Sequence, residues 1–137
     1  MPELIARIIT WLLLVVHAGL GAWALAGFIE LAGAGLPWGS VTNPELPRWL
    51  LWLRWPLVGM AATAFIGGYL ARWRFTPWAM LAIYSCMAAM CAYETFFLLS
   101  NPGRYRAMGL EYGEYVAILL FLFFSSYMRQ RFSLAAL

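Results

Sequence analysis

The chain has 137 residues, of which 64% are hydrophobic and only 11% are charged. Soluble domains carry about 25% charged residues, so this composition is too poor in charge to build a water-facing surface. All nine basic residues are Arg and all six acidic residues are Glu. The Arg residues lie at the ends of apolar runs, where they anchor to lipid headgroups, and no basic stripe remains for a nucleic-acid backbone. The composition therefore predicts a single integral membrane domain without a nucleic-acid partner.

The first apolar run, about residues 8–32, predicts a membrane-spanning helix. Ala18, Ala22 and Ala26 recur at every fourth position, with glycines beside them. Small residues at this spacing let a second helix approach closely in lipid, so we expect a tight helix–helix contact along this stripe. Since no convincing small-residue cleavage site follows, we expect a retained helix and not a cleaved signal peptide.

His17, the only histidine of the chain, falls near the middle of this first span. A lone His needs other side chains to ligate haem or a metal ion. We interpret it as a hydrogen-bonded packing residue, and a ligand-binding role is the alternative.

The second span is preceded by GAGLPWGSVTNPELPR, whose prolines and glycines predict a loop at the membrane surface. The decapeptide PRWLLWLRWP then carries three Trp residues spaced by three positions. It reads either as a short interfacial helix or as the first turns of a span that enters through an aromatic belt. The stretch from Pro56 to Ala71 is short for a crossing, so we favour one continuous span over about residues 49–71.

The third apolar run, about residues 78–100, contains a single formal charge, Glu94. At 1.5 Å per residue it gives about 34 Å of helix, enough to cross a hydrocarbon core of roughly 30 Å. An ionisable group inside such a segment is costly, so it normally faces the interior of a bundle and has a partner. We expect the other spans to surround Glu94.

The fourth span is predicted over about residues 114–128, after an exposed loop that contains RYRAMGLEYG. The connections are short, so the expected fold is all-α, a four-helix transmembrane bundle with up-down-up-down topology. Both termini then lie on one side, which carries five Arg residues against four on the other. The positive-inside rule therefore indicates cytoplasmic termini, and we predict a bacterial inner-membrane protein.

Counting residues along the predicted spans places several charged residues at a similar depth, near the same face of the membrane. Glu94 falls roughly 9 Å inside the end of span three, and Arg54 roughly 8 Å inside the start of span two. Glu30 ends span one and Glu114 opens span four, so a cluster of these four residues is allowed. It is either an ion pair that fixes the packing of the helices or a pocket in which Glu94 binds a cation, a headgroup or a proton.

Span three also carries thiol and thioether side chains that suit Cu(I), namely Cys86, Met87, Met90 and Cys91. They are weak copper candidates because Met and Cys are also ordinary buried residues, and we assign no metal. The chain has no Asp, no second His and no CxxC or HExxH motif. An enzyme is therefore a minority interpretation, and the sequence indicates no cofactor.

The function predicted first is a non-catalytic accessory subunit of a larger membrane complex or a homo-oligomer. The aromatic content of 18% and the small-residue stripe favour contacts with other subunits or with copies of the chain, besides membrane lipid. The alternative is a small transporter or a lipophilic-ligand-binding bundle that uses Glu94 and Arg54.

Overall fold

A computed structural model describes residues 3–134 of the chain. Over this part the protein is 77% helical and has no strand, which confirms the predicted all-α class. The elements are α1 (Glu3–Leu31), α2 (Arg48–Leu70), α3 (Thr76–Tyr93), a π turn (Glu94–Leu98) that continues α3, α4 (Arg104–Phe124) and α5 (Ser126–Arg131). Within residues 3–134, α1, α2, α3 with its π turn, and α4 are each long and apolar enough to cross a membrane, judged by length and composition.

The α1–α2 contact is built on small residues facing a large one. Trp55 of α2 is buried, and its ring lies directly against Gly27 of α1, where a Cβ would come within 2.1 Å of the ring. Nearer the middle of α1, a Cβ on Gly21 would lie 3.3 Å from that of Ala62. Glycine at these positions lets the two helix backbones approach closely.

Of the small residues that predicted a tight helix contact, Gly21 and Gly27 beside the alanine stripe make it, whereas Ala18 and Ala22 of the stripe do not. Ala18 and Ala22 are exposed, and α1 meets α2 through a neighbouring face that contains Ala24 and Gly27. α1 has small residues on several faces, so spacing alone leaves the packing face undecided. The position of the bulky Trp55 on the partner helix decides it.

α2 is continuous from Arg48 to Leu70 with Pro56 inside it, as the continuous-span interpretation predicted. Proline lacks the N–H that would bond to the preceding turn, but the helix runs through it. The Trp residues before it differ in environment, since Trp55 is buried whereas Trp49 and Trp52 are half exposed.

α4 differs from the predicted fourth span at both ends. It begins at Arg104, so the expected loop RYRAMGLEYG is helical, and it ends at Phe124 because Ser125 has an extended backbone. The early turns are held by a bond from the Tyr112 hydroxyl to the carbonyl of Ala88 on α3, at 2.7 Å. Tyr112 and Ala88 lie far apart in the chain, so no local sequence pattern indicates this contact. The glycines and charged residues of the segment predicted a loop instead.

α5 packs across the end of the bundle near the last turn of α2. Met128 and Phe132 are fully buried there. Arg131 donates a hydrogen bond of 3.0 Å to the carbonyl of Tyr69, and the hydroxyls of Tyr69 and Tyr127 are 3.3 Å apart. This end of the molecule is therefore closed by side chains of the C-terminal segment.

Consecutive long helices pack on each other, whereas α1 and α4 share at most isolated close approaches within the described residues. α4 is also the least buried of the long helices. The backbones of α1 and α4 therefore approach each other less closely than those of consecutive helices.

We expect Gly27→Ala to destabilise the protein by about 1–3 kcal/mol, the usual range for overpacking, because the new methyl group overlaps the ring of Trp55. The matched control is Gly19→Ala, since no atom lies within 4 Å of a Cβ at Gly19. Replacing glycine in that exposed helical position should leave stability unchanged or raise it slightly. Unfolding in detergent micelles measures both, and a Gly27→Ala protein as stable as the wild type would contradict the packing described.

Candidate functional site

The site is centred on an ion pair between α2 and the end of α3. The guanidinium Nη1 of Arg54 lies 2.5 Å from Oε2 of Glu94. The Arg54 guanidinium also lies over the ring of Trp23 on α1, 5.9 Å from the ring centroid. A cation attracts both a carboxylate and the face of an indole ring, so one side chain links three helices.

Glu94 begins the π turn, in which the N–H of Leu99 bonds to the Glu94 carbonyl at 2.9 Å. A π turn fits one extra residue into the helix, and such turns occur frequently at functional sites. Neither the turn nor the direction it gives to the Glu94 side chain has a signal in the sequence.

One oxygen of the Glu94 carboxylate has no hydrogen-bond partner in the described part of the chain. The residue is only 4% exposed, Oε2 is taken by Arg54, and Oε1 is buried and unpaired. Buried polar atoms are normally hydrogen-bonded, and an unsatisfied one costs about 1–3 kcal/mol, or more if charged. Oε1 is therefore a position where a hydrogen-bond donor would be stabilised.

Glu94 faces a cavity of about 370 Å³ between α1, α2, α3 and α4, which we call the central cavity. Its polar lining residues are Arg54, Tyr84, Cys91, Glu94, Glu111, Glu114 and Tyr115. Most of the remaining lining is apolar, with Val16, Leu20, Val58, Met87 and Ile118 among it. The arrangement suits a molecule with one polar end and an apolar body.

Glu111 is a lining residue that the sequence interpretation missed, because it was assigned to a loop. Its carboxylate accepts hydrogen bonds from the Tyr115 hydroxyl and, at 3.3 Å, from the Cys91 thiol. The spacing of Met108, Glu111, Tyr115 and Ile118 follows a helical period and would have indicated one inward face of α4.

His17 lies behind the cavity wall, fully buried. Its Nδ1–H donates to the Leu13 carbonyl at 2.7 Å, since a carbonyl only accepts, and Nε2 of the neutral ring then accepts from the Tyr84 hydroxyl at 2.7 Å. The imidazole also stacks on Phe65 with a centroid distance of 4.1 Å. His17 thus holds Tyr84 in place at the cavity.

The predicted acidic cluster is assembled in part. Arg54 and Glu94 meet, and Glu114 lines the same cavity from α4. Glu30 does not line it, because its carboxylate accepts bonds from the loop after α1, from both the N–H and the hydroxyl of Thr42 and from the neighbouring Ser40 and Val41. Glu30 therefore anchors that loop.

The four copper candidates are separated by the helix. Met87, Met90 and Cys91 line the central cavity, whereas Cys86 is exposed. Among residues 3–134, no group of three or more His, Cys or acidic side chains is placed to hold a metal ion.

We expect Glu94→Gln to destabilise the protein by about 2 kcal/mol, because it leaves the Arg54 charge without its counterion. This loss of stability is below the 3–5 kcal/mol typical of fully buried pairs, because 23% of the Arg54 side chain is still exposed. Arg54→Met combined with Glu94→Leu should restore most of the loss, because apolar residues replace both charges. Unfolding in micelles measures all three proteins.

The control for this series is Glu3→Gln, which breaks the exposed pair between Glu3 and Arg7. Exposed pairs contribute little, so its stability should match that of the wild type. If Glu94→Gln behaves like Glu3→Gln, the pair does not hold α2 to α3.

Comparison of the chain with protein-family models, with curated proteins and with solved structures finds no match in any of the three.

Proposed function

We propose that this protein is an integral membrane protein that binds a lipophilic ligand in its central cavity, with the Arg54–Glu94 pair holding the polar end of the ligand. The observation that carries the proposal is that Glu94, whose buried Oε1 has no hydrogen-bond partner in the described part of the chain, lines a cavity with largely apolar walls. Its volume of about 370 Å³ lies within the range of about 300–1,000 Å³ usual for small-molecule sites.

Insertion in a membrane is supported by the length and composition of α1 to α4. The outer surface of α1 also exposes large apolar side chains in a row, with Trp11 at 70% and Val15 at 66% of their full exposure. A soluble monomer rarely exposes a continuous apolar surface of this kind, whereas lipid tails would cover it. We propose an up-down-up-down bundle in a bacterial inner membrane, in which the short connections support the topology and the Arg distribution supports cytoplasmic termini.

The wide backbone spacing of α1 and α4 supports access from the bilayer. Both helices contribute lining residues to the central cavity, Leu20 from α1 and Leu110 from α4 among them, and their backbones share at most isolated close approaches. A molecule dissolved in the lipid can therefore approach Glu94 sideways, between two apolar helices. Transport across the membrane would need a second opening, so binding is the function that the geometry supports best.

The accessory-subunit function stays a prediction from the sequence. The exposed Ala18 and Ala22 favour it, because small residues on a lipid-facing surface let a helix of another subunit or of a second copy approach closely. A ligand site and a subunit interface would lie on different faces of α1, so the two functions are compatible.

The test is native mass spectrometry of the full chain released gently from its own membrane. We expect the wild type to carry a retained small molecule. The variant Ile118→Trp should lose it, because residue 118 lines the cavity from α4 and the indole would fill the space. The variant Val116→Trp is the control, since Val116 is 56% exposed and is not a lining residue, and it should retain the molecule.

Equal retention of the small molecule by the wild type and by Ile118→Trp would contradict the proposal, as would a wild type that carries no small molecule. A defined mass with other polypeptides and an empty cavity would establish the accessory-subunit function instead.

A further inference from the structure

The charges around the central cavity do not balance. Of the described residues that line it, three are carboxylates and one is basic, Arg54. Arg54 pairs with Glu94, while the partners of Glu111 are a phenol and a thiol, both neutral. Glu114 lies on the same helix as Glu111, three positions further on, and adds to the excess of acidic groups. The cavity thus presents more acidic groups than its own residues neutralise.

An uncompensated carboxylate between apolar helices is costly, so it takes up a proton or a cation. A bound metal ion does not suit this cavity. Its acidic groups are spread over the π turn and two turns of α4, and no group of three or more His, Cys or acidic side chains within residues 3–134 is placed to hold a metal ion. An ammonium ion needs hydrogen-bond acceptors and no preformed set of metal ligands, so this arrangement accommodates it.

The unpaired Oε1 of Glu94 adds a requirement for a hydrogen-bond donor. A primary ammonium group has three N–H donors and one positive charge, so it satisfies this oxygen and neutralises one of the two excess carboxylates. Trp23 and Tyr115 also line the cavity, and aromatic rings attract cations. The apolar lining, Val16 and Ile118 included, suits an alkyl chain.

We propose that the ligand of the central cavity is a protonated primary amine with an apolar chain, whose ammonium group donates to Oε1 of Glu94. Glu111 and Glu114 supply the remaining negative charge, and the chain lies between α1 and α4 toward the lipid. This inference rests on the proposed ligand-binding function and specifies the chemical class of the ligand.

The experiment measures the affinity of three probe molecules for the full chain in phosphatidylcholine nanodiscs, with empty nanodiscs as the background. Octylammonium carries both a charge and N–H donors, octyltrimethylammonium carries the charge alone, and octanol carries a donor alone. We expect octylammonium to bind about tenfold or more tightly than octanol, the factor that one charge-assisted hydrogen bond provides. Octyltrimethylammonium should fall between the two.

Glu111→Gln is the diagnostic variant, because it removes one negative charge from the cavity and keeps an oxygen that accepts the bond from Tyr115. It should weaken octylammonium binding about tenfold and leave octanol binding unchanged. Glu3→Gln removes an equal charge from an exposed position far from the cavity and should change neither affinity. Ile118→Trp should abolish the binding of all three probes above background.

The outcomes separate the two levels of the proposal. If octanol binds as tightly as octylammonium, and Ile118→Trp abolishes both, the cavity takes a neutral lipophile and the inference about the amine is wrong while the ligand-binding function stands. If no probe binds the wild type above the empty-nanodisc background, both proposals are wrong.

Discussion

Among the described residues, the contact between the Arg54 guanidinium and the Glu94 carboxylate is an ion pair that joins two helices in the interior of the bundle. A charge placed alone between apolar helices would be costly, so each member of the pair requires the other. Because the two residues come from α2 and from the end of α3, the pair fixes how these helices are rotated. It also places Trp23 of α1 against the Arg54 guanidinium, so a third helix depends on the same point.

The pair satisfies only one oxygen of Glu94, and the other, Oε1, is buried without a partner in the described part of the chain. Gly27 and Trp55 hold α1 tightly to α2, while Tyr112 holds α4 to α3. The backbones of α1 and α4 approach each other less closely within the described residues, and both helices line the central cavity. The α1–α2, α2–α3 and α3–α4 pairs are therefore tightly packed, α1 and α4 are not, and the central cavity lies among the four helices.

Counting residues along each predicted helix predicted the depth of Arg54 and Glu94 in the membrane. Rise per residue is nearly constant in a helix, so depth placed Arg54 and Glu94 at one level, and the structure brings them together. Rotation about each axis depends on tertiary packing, which explains why the exposed Ala18 stripe was taken for the packing face. Glu30 lies at a helix end, where the following loop supplies nearer hydrogen-bond donors than the cavity does. Glu111 was missed because the glycines and charged residues around it predicted a loop, although its spacing with Met108, Tyr115 and Ile118 follows a helical period.

The measurement that tests the account most directly is the internuclear distance between the Arg54 guanidinium nitrogens and the Glu94 carboxyl carbon. Solid-state magnetic resonance of selectively isotope-labelled protein in lipid bilayers reports it. We expect a strong dipolar coupling between the Arg54 guanidinium and the Glu94 carboxylate, because the two groups are in direct contact. Its absence from well-folded protein in the same bilayers would mean that Arg54 and Glu94 do not meet in the membrane, and the ligand site built on them would not exist.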